Sequence, residues 1–409
     1  MHAAALAGHR EVVAALLENG ARHDLAAEDG RTVLHCAARG GHKGLMEWLL
    51  FDLENRQREL FRVMERRTFS DDHTVLHELA KVDATTREKQ LEVNDVGRAI
   101  IKCWSMYLQK PAEPLINAVD RKGQTALHLC ATIDAFELLR FLISQGADVN
   151  VRTMSSDLAV HIAARKQGLK ALTYLVSGGS DLTVCNSDGD TPLHVAAGTG
   201  DKVIFRLVLQ ASPMKPPKNV GATHNNAGDA PLHVAARRCA ERTAAGEAPF
   251  HDMVQLGIRA RLDPSVRSAR GDTPLLAAAC GGNADTVGFL VRFGTDESGA
   301  CPALHAANDS RETAVLLAAR HGHVPVLQHL AKARPRVRIP HAHPRAGCGV
   351  TRARVTGGGG HACRVAHARR GAGGGGARRA RGGAAHASGR GAGRAARRPA
   401  WPNAAALGG

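Results

Sequence analysis

One short pattern recurs along this chain and leaves few folds open to it. Thr191-Pro192-Leu193-His194-Val195-Ala196-Ala197 is the clearest copy. It is echoed by Thr125-Ala126-Leu127-His128, by Ala230-Pro231-Leu232-His233-Val234-Ala235-Ala236 and by Thr32-Val33-Leu34-His35. Weaker copies are Thr74-Val75-Leu76-His77 and Ala159-Val160-His161-Ile162-Ala163-Ala164. Two more, Thr273-Pro274-Leu275-Leu276 and Thr313-Ala314-Val315-Leu316, carry Leu in place of His. His2 to His35, His128 to His161 and His161 to His194 are each 33 residues apart, and the other intervals are 42, 51, 39, 43 and 40. With the partial copy at His2 this makes nine units within residues 1–331. A unit of this size cannot bury a core alone, so the units must stack and share one.

The chemistry of one unit follows from its residues. Asp188-Gly189-Asp190 is a turn, with Gly supplying the positive φ. Thr191 can cap a helix with its hydroxyl, and Pro192 sits at the first helical position, where a missing N–H costs nothing. A short helix of small residues follows and ends at Gly200. A second helix is expected from about Asp201 to Gln210, with Val203, Ile204, Leu207 and Val208 on one face. Gly178-Gly179 is the corresponding stop in the preceding unit.

Longer intervals predict insertions near residues 51–70, 81–116, 213–221, 238–250 and 297–311. Leu53, Leu60, Phe61 and Met64 suggest an additional amphipathic helix. Val96, Ile100, Trp104 and Tyr107 suggest another, its apolar stripe packing on the stack. Pro302 to Ala307 imitates a unit start, but Thr313 follows too soon, so a loop is expected there. The first unit begins in mid-motif and the last helix, near Val324 to Leu330, has no polar cap. Solenoids need polar ends, so the chain reads as a fragment or an imperfect gene prediction.

The period and the Thr-Pro-Leu-His-x-Ala motif resemble those of the ankyrin-repeat family across most of residues 1–331. The resemblance implies an all-α solenoid of helix-turn-helix units joined by β-hairpin-like turns. It also implies that the recurring His fixes the turn region by hydrogen bonding. Partners of this family bind a concave surface made by hairpin tips and first helices.

Charge separates two unlike segments. Residues 332–409 hold seventeen Lys and Arg and no Asp or Glu, whereas the whole chain is +16, so residues 1–331 sum to 16 − 17 = −1. A near-neutral body gives no electrostatic reason for nucleic acid or an acidic membrane as the main partner. The tail, rich in Arg, Gly and Ala, cannot bury a core and is expected to be disordered. Its Arg-Gly runs offer charge without stacking aromatics, and GC-rich DNA read in the wrong frame encodes the same residues. Nine cysteines without a CxxC pair point to a reduced, intracellular protein, cytoplasmic or nuclear, and no signal peptide or membrane-length apolar run is present.

Catalysis and cofactors are not expected. The recurring histidines lie one unit apart and form a ladder, not a metal cage. His341, His343, Cys348, His361, Cys363 and His367 are spaced too irregularly for a structural zinc site. No phosphate-binding loop or hydrolase, protease or kinase motif appears.

The expected role is therefore a scaffold or adaptor for other proteins, with no small-molecule substrate and no membrane. The candidate contact residues are Asp120, Arg121, Lys122 and Gln124; Asn186, Ser187, Asp188 and Asp190; Asn226 and Asp229; Ser268, Arg270 and Asp272; and Thr199 and Arg237 on first helices. Two alternatives stand beside it. One is the substrate-recognition arm of a larger ligase, kinase or acyltransferase; the other is a regulator that reaches nucleic acid through the tail. Asn150, in Ala147-Asp148-Val149-Asn150, matches where the family can be hydroxylated on Asn.

Overall fold

In the computed structural model the residues described are 1–52, 63–108, 112–213, 220–238, 249–294 and 301–333. Outside them lie Leu53, Leu60 and Phe61, most of the insertions at 213–221 and 238–250, the His/Cys cluster, and all but the first two residues of the tail.

Among the described residues the units alternate a first and a second helix. First helices run His2–Ala7, Val33–Gly40, Val75–Leu79, Ala126–Ile133, Ala159–Lys166, Pro192–Thr199, Pro231–Arg237, Pro274–Gly281 and Ala314–Arg320. Second helices run Arg10–Glu18, Lys43–Glu47, Arg87–Leu108, Phe136–Ser144, Leu169–Ser177, Lys202–Ala211, Pro249–Arg259, Ala284–Phe293 and Val324–Lys332. Nine such helix pairs stand among the described residues, and each first helix packs on the next.

The motif explains each first helix. Thr32, Thr74, Thr125 and Thr191 are extended residues at the N-cap, each paired with the His three residues on. Leu158 and Ala230 take that position in units 5 and 7 without a hydroxyl, and the His still closes the cap. Left-handed residues end several of these helices: Gly41, Asp134, Gln167, Gly200 and Gly282. The motif leucines Leu34, Leu76, Leu127, Leu193, Leu232 and Leu275 are at most 1% exposed, a burial worth roughly 2–3 kcal/mol each. Ala196 and Ala197 beside Leu193 are fully buried, and their small size lets neighbouring helices approach.

Three expectations need correction. In unit 6, Val203 is exposed, and the buried face is Ile204, Phe205, Val208 and Leu209. Asp201 caps the helix by accepting from the N–H of Val203 and Ile204, which turns Val203 outward in the first turn. Pro302–His305 is a one-turn helix rather than a loop; it buries Cys301 and Leu304, and unit 9 starts at Ala314. Within 51–70, Thr68 and Phe69 belong to the hairpin of unit 3, whereas Trp48–Asp52 is a π-helical turn continuing the second helix of unit 2.

The stripe Val96, Ile100 and Trp104 is buried, and its helix packs against the second helices of units 2 and 4. The 22-residue helix is thus the second helix of unit 3, lengthened. Gly97 permits the approach, because a Cβ there would stand 2.8 Å from Leu138 Cδ1.

Candidate protein-interaction surface

Each unit is joined to the next by a tight hairpin. The residue that opens the turn donates its N–H to the residue that closes it: Asp120 to Gln124, Thr153 to Asp157, Asn186 to Asp190, Asn225 to Asp229, Ser268 to Asp272 and Asn308 to Glu312. Side chains then lock the turn from inside. Asp120 Oδ1 accepts from the N–H of Lys122 and Gln124, Asn186 Oδ1 from Asp188 and Asp190, and Ser268 Oγ from Arg270 and Asp272.

The hairpins also form a ladder. Phe69 N–H donates to Asp29, Arg121 to Asp71, Met154 to Lys122, Ser187 to Ser155, Asn226 to Asp188, Ala269 to Gly228 and Asp309 to Arg270, each through a backbone carbonyl at 2.8–3.1 Å. Amide side chains repeat the stitch: Asn186 Nδ2 reaches Asp157 Oδ1 at 3.0 Å, Asn225 reaches Asp190 at 2.7 Å and Asn308 reaches Asp272 at 3.0 Å.

Histidine fastens the same joint from the helix side. In His194, Nδ1 accepts from the Thr191 N–H and hydroxyl, while Nε2 lies 3.0 Å from the Asp229 carbonyl of the next unit. His35, His77, His161 and His233 reach the carbonyls of His73, Gln124, Asp190 and Asp272 in the same way. A carbonyl can only accept, so Nε2 carries the proton and the ring is neutral. Burial, which disfavours the charged ring, holds His35, His77, His128 and His161 down to about 4.

A second device lies in units 5, 7 and 9. An acid just before the N-cap binds an Arg at the end of the same helix: Asp157 with Arg165 at 3.0 and 3.1 Å, Asp229 with Arg237 at 2.5 and 2.8 Å, and Glu312 with Arg320. Units 2 to 4 carry a different cluster. Glu78 is fully buried; burial alone would raise its carboxyl, but hydrogen bonds from His73 at 2.8 Å and Arg39 at 3.0 Å, with Arg31 nearby, hold it at about 2. His73 also stands 3.4 Å from Asp120 of the next unit.

The expected contact residues divide accordingly. Arg121, Lys122, Ser187, Asp188, Asn226 and Arg270 are exposed at the turns, on one line of successive hairpins. Gln124, Asp190, Asp272 and Thr199 are half-buried. Asp120, Asn186, Asp229 and Ser268 are at most 8% exposed, which corrects their reading as exposed tip residues: side-chain oxygens of Asp120, Asn186 and Ser268 accept within the turn, and those of Asp229 are bound by Arg237. Arg237 is exposed at one edge but committed to Asp229. Asn150 is exposed, with Oδ1 accepting from the Asp181 N–H at 2.8 Å. Two tip residues lacked any polar signal to mark them: Phe69, 65% exposed, and Met154, 80% exposed, stand at the hairpins of units 3 and 5 on either side of Arg121 and Lys122. Large exposed apolar side chains in such a position are what an interface core uses.

Profiles of ankyrin repeats match residues 1–50, 122–154, 160–245 and 243–339, which together exceed half the chain. The chain belongs to the ankyrin-repeat family. Ankyrin repeats are interaction modules, so proteins are the partner class they imply. The chain is also 28% identical, over 165 residues, to the E3 ubiquitin-protein ligase XBAT33 of Arabidopsis thaliana, a match covering 37% of this chain and 30% of that protein. The chain thus aligns with less than a third of that relative's length.

Among the described residues of this ankyrin protein, no three His, Cys, Asp or Glu side chains gather as metal ligands would, and no helix is long and apolar enough to cross a membrane. The six described cysteines are free thiols, and burial raises those of Cys36 and Cys103 to about 11 and about 12.

Proposed function

We propose that this protein is a non-enzymatic, intracellular scaffold or adaptor, cytoplasmic or nuclear, that holds a partner protein against its hairpin tips and first helices. The observation that carries the reading is the line of tips in units 3 to 5. There Phe69 and Met154 offer apolar anchors and Arg121 and Lys122 offer charge, while the locking oxygens of the same turns face inward. A rigid, pre-formed row of exposed side chains loses little entropy on binding, which favours affinity.

A photo-crosslinking residue placed at Arg121 or Met154 tests it in cells. The proposal expects discrete protein adducts from both positions and few from Arg292, on the second helix of unit 8. Equal adducts from all three positions would count against it.

The alternative reading is the substrate-recognition arm of a ubiquitin ligase, favoured by the similarity to XBAT33. Under it, the tip-bound protein is ubiquitinated and accumulates when Arg121 and Lys122 are reversed in charge. A plain scaffold leaves the abundance of that protein unchanged.

A further inference from the structure

The lengthened second helix of unit 3 creates a feature that the repeat does not need. Where Arg87–Leu108 runs beside the second helices of units 4 and 5 there is a groove of about 640 Å³, walled by Arg87, Gln90 and Leu91 on one side and by Phe136, Arg140, Lys170 and Tyr174 on the other. A smaller recess of about 240 Å³ shares Arg140 and adds Asn94, Arg98 and Phe141.

Three properties of this groove point to one kind of ligand. Its charge is basic: Arg87, Arg98, Arg140 and Lys170 face one acid, Glu137, which Arg140 binds at 2.9 Å. Arg87 and Lys170 have no ion-pair partner among the described residues. Its floor is aromatic: Phe136 and Tyr174 stack at 6.5 Å, with Lys170 Nζ 4.2 Å above Phe136 and Arg98 5.5 Å above Phe141. Leu91 adds an apolar side chain 44% exposed. Its wall holds unused acceptors: Gln90 Oε1 and Asn94 Oδ1 are buried without a hydrogen-bond partner. Such groups are costly to leave unmade. Gln90 Nε2 donates to the Ala84 carbonyl at 3.0 Å, which holds its amide in place, while a soft terminal torsion lets the Asn94 oxygen turn to an incoming donor.

Gln90 and Asn94 are four residues apart on a helix, about 6 Å along its axis. Alternate residues of an extended chain are about 6.6 Å apart. We propose that this groove is a second docking site, separate from the hairpin tips, for an extended acidic peptide segment of a partner protein. Two of its backbone N–H groups meet Gln90 and Asn94, its carboxylates meet the cations, and an apolar side chain lies on Phe136 and Leu91.

The test is fluorescence anisotropy on the full chain, with a labelled peptide alternating Glu with Leu and Tyr, and a Lys-for-Glu version as control. The expected result is saturable binding of the Glu peptide only. It should weaken at least about tenfold in Arg87→Glu/Lys170→Glu and persist in Arg121→Glu/Lys122→Glu, whose failure would bear on the tip surface alone. Gln90→Leu should weaken binding without altering charge, and Lys170→Ala serves if the double variant does not fold. No saturable binding would overturn the site. So would binding indifferent to Arg87, Lys170 and Gln90, or phosphatidylserine vesicles that bind the groove while the peptide does not.

Discussion

His194 Nε2 stands 3.0 Å from the backbone carbonyl of Asp229, so the side chain that closes the N-cap of unit 6 also fastens the hairpin of unit 7. The same side chain serves local and long-range structure, which explains why the motif repeats its His and not merely its hydrophobic pattern. The joint depends on a neutral ring.

Acid should therefore loosen the solenoid. Histidines held down to about 4 in the fold titrate near 6.5 once unfolded, so the unfolded state takes up more protons between those values. Stability is fully present above about pH 6.5 and is lost as pH falls toward 4, on the order of 1–2 kcal/mol per histidine by pH 5. Urea midpoints between pH 8 and pH 5 check this, and His161→Gln should flatten the slope.

Leu193→Ala should cost roughly 2–5 kcal/mol, because the side chain is fully buried between stacked helices. In a one-dimensional stack the damage falls on neighbours, so hydrogen exchange should accelerate in units 5 to 7 more than in unit 2.

Gly189→Ala should destabilise by about 1–3 kcal/mol. Its φ of +76° is strained for any L side chain, and a Cβ would lie 2.6 Å from the Asn226 backbone nitrogen in the next unit. Gly20→Ala, at φ +83° with open space around it, should cost less by thermal melting.

Glu78→Ala should cost about 1–3 kcal/mol, since it removes the buried acceptor to which His73 and Arg39 donate. Denaturant titration at pH 7 measures it.

The architecture was legible because the motif encodes it locally: a cap residue, a leucine for the core and a glycine stop, repeated. The Asp157–Arg165 and Asp229–Arg237 pairs were legible in principle as an acid followed eight residues later by Arg. The surface was less so. Asp120 and Arg121 are both polar turn residues, and only the turn geometry decides that one faces inward and the other outward. Phe69 and Met154 look like core residues in sequence, and the groove at Gln90 depends on how a lengthened helix lies across two other units.

The most direct measurement is hydrogen exchange of the full chain with and without a partner captured by the crosslink at Met154. The account predicts protection of residues 68–73, 119–124 and 153–157, the hairpins of units 3 to 5. Protection confined to second helices, with those hairpins unchanged, would contradict it.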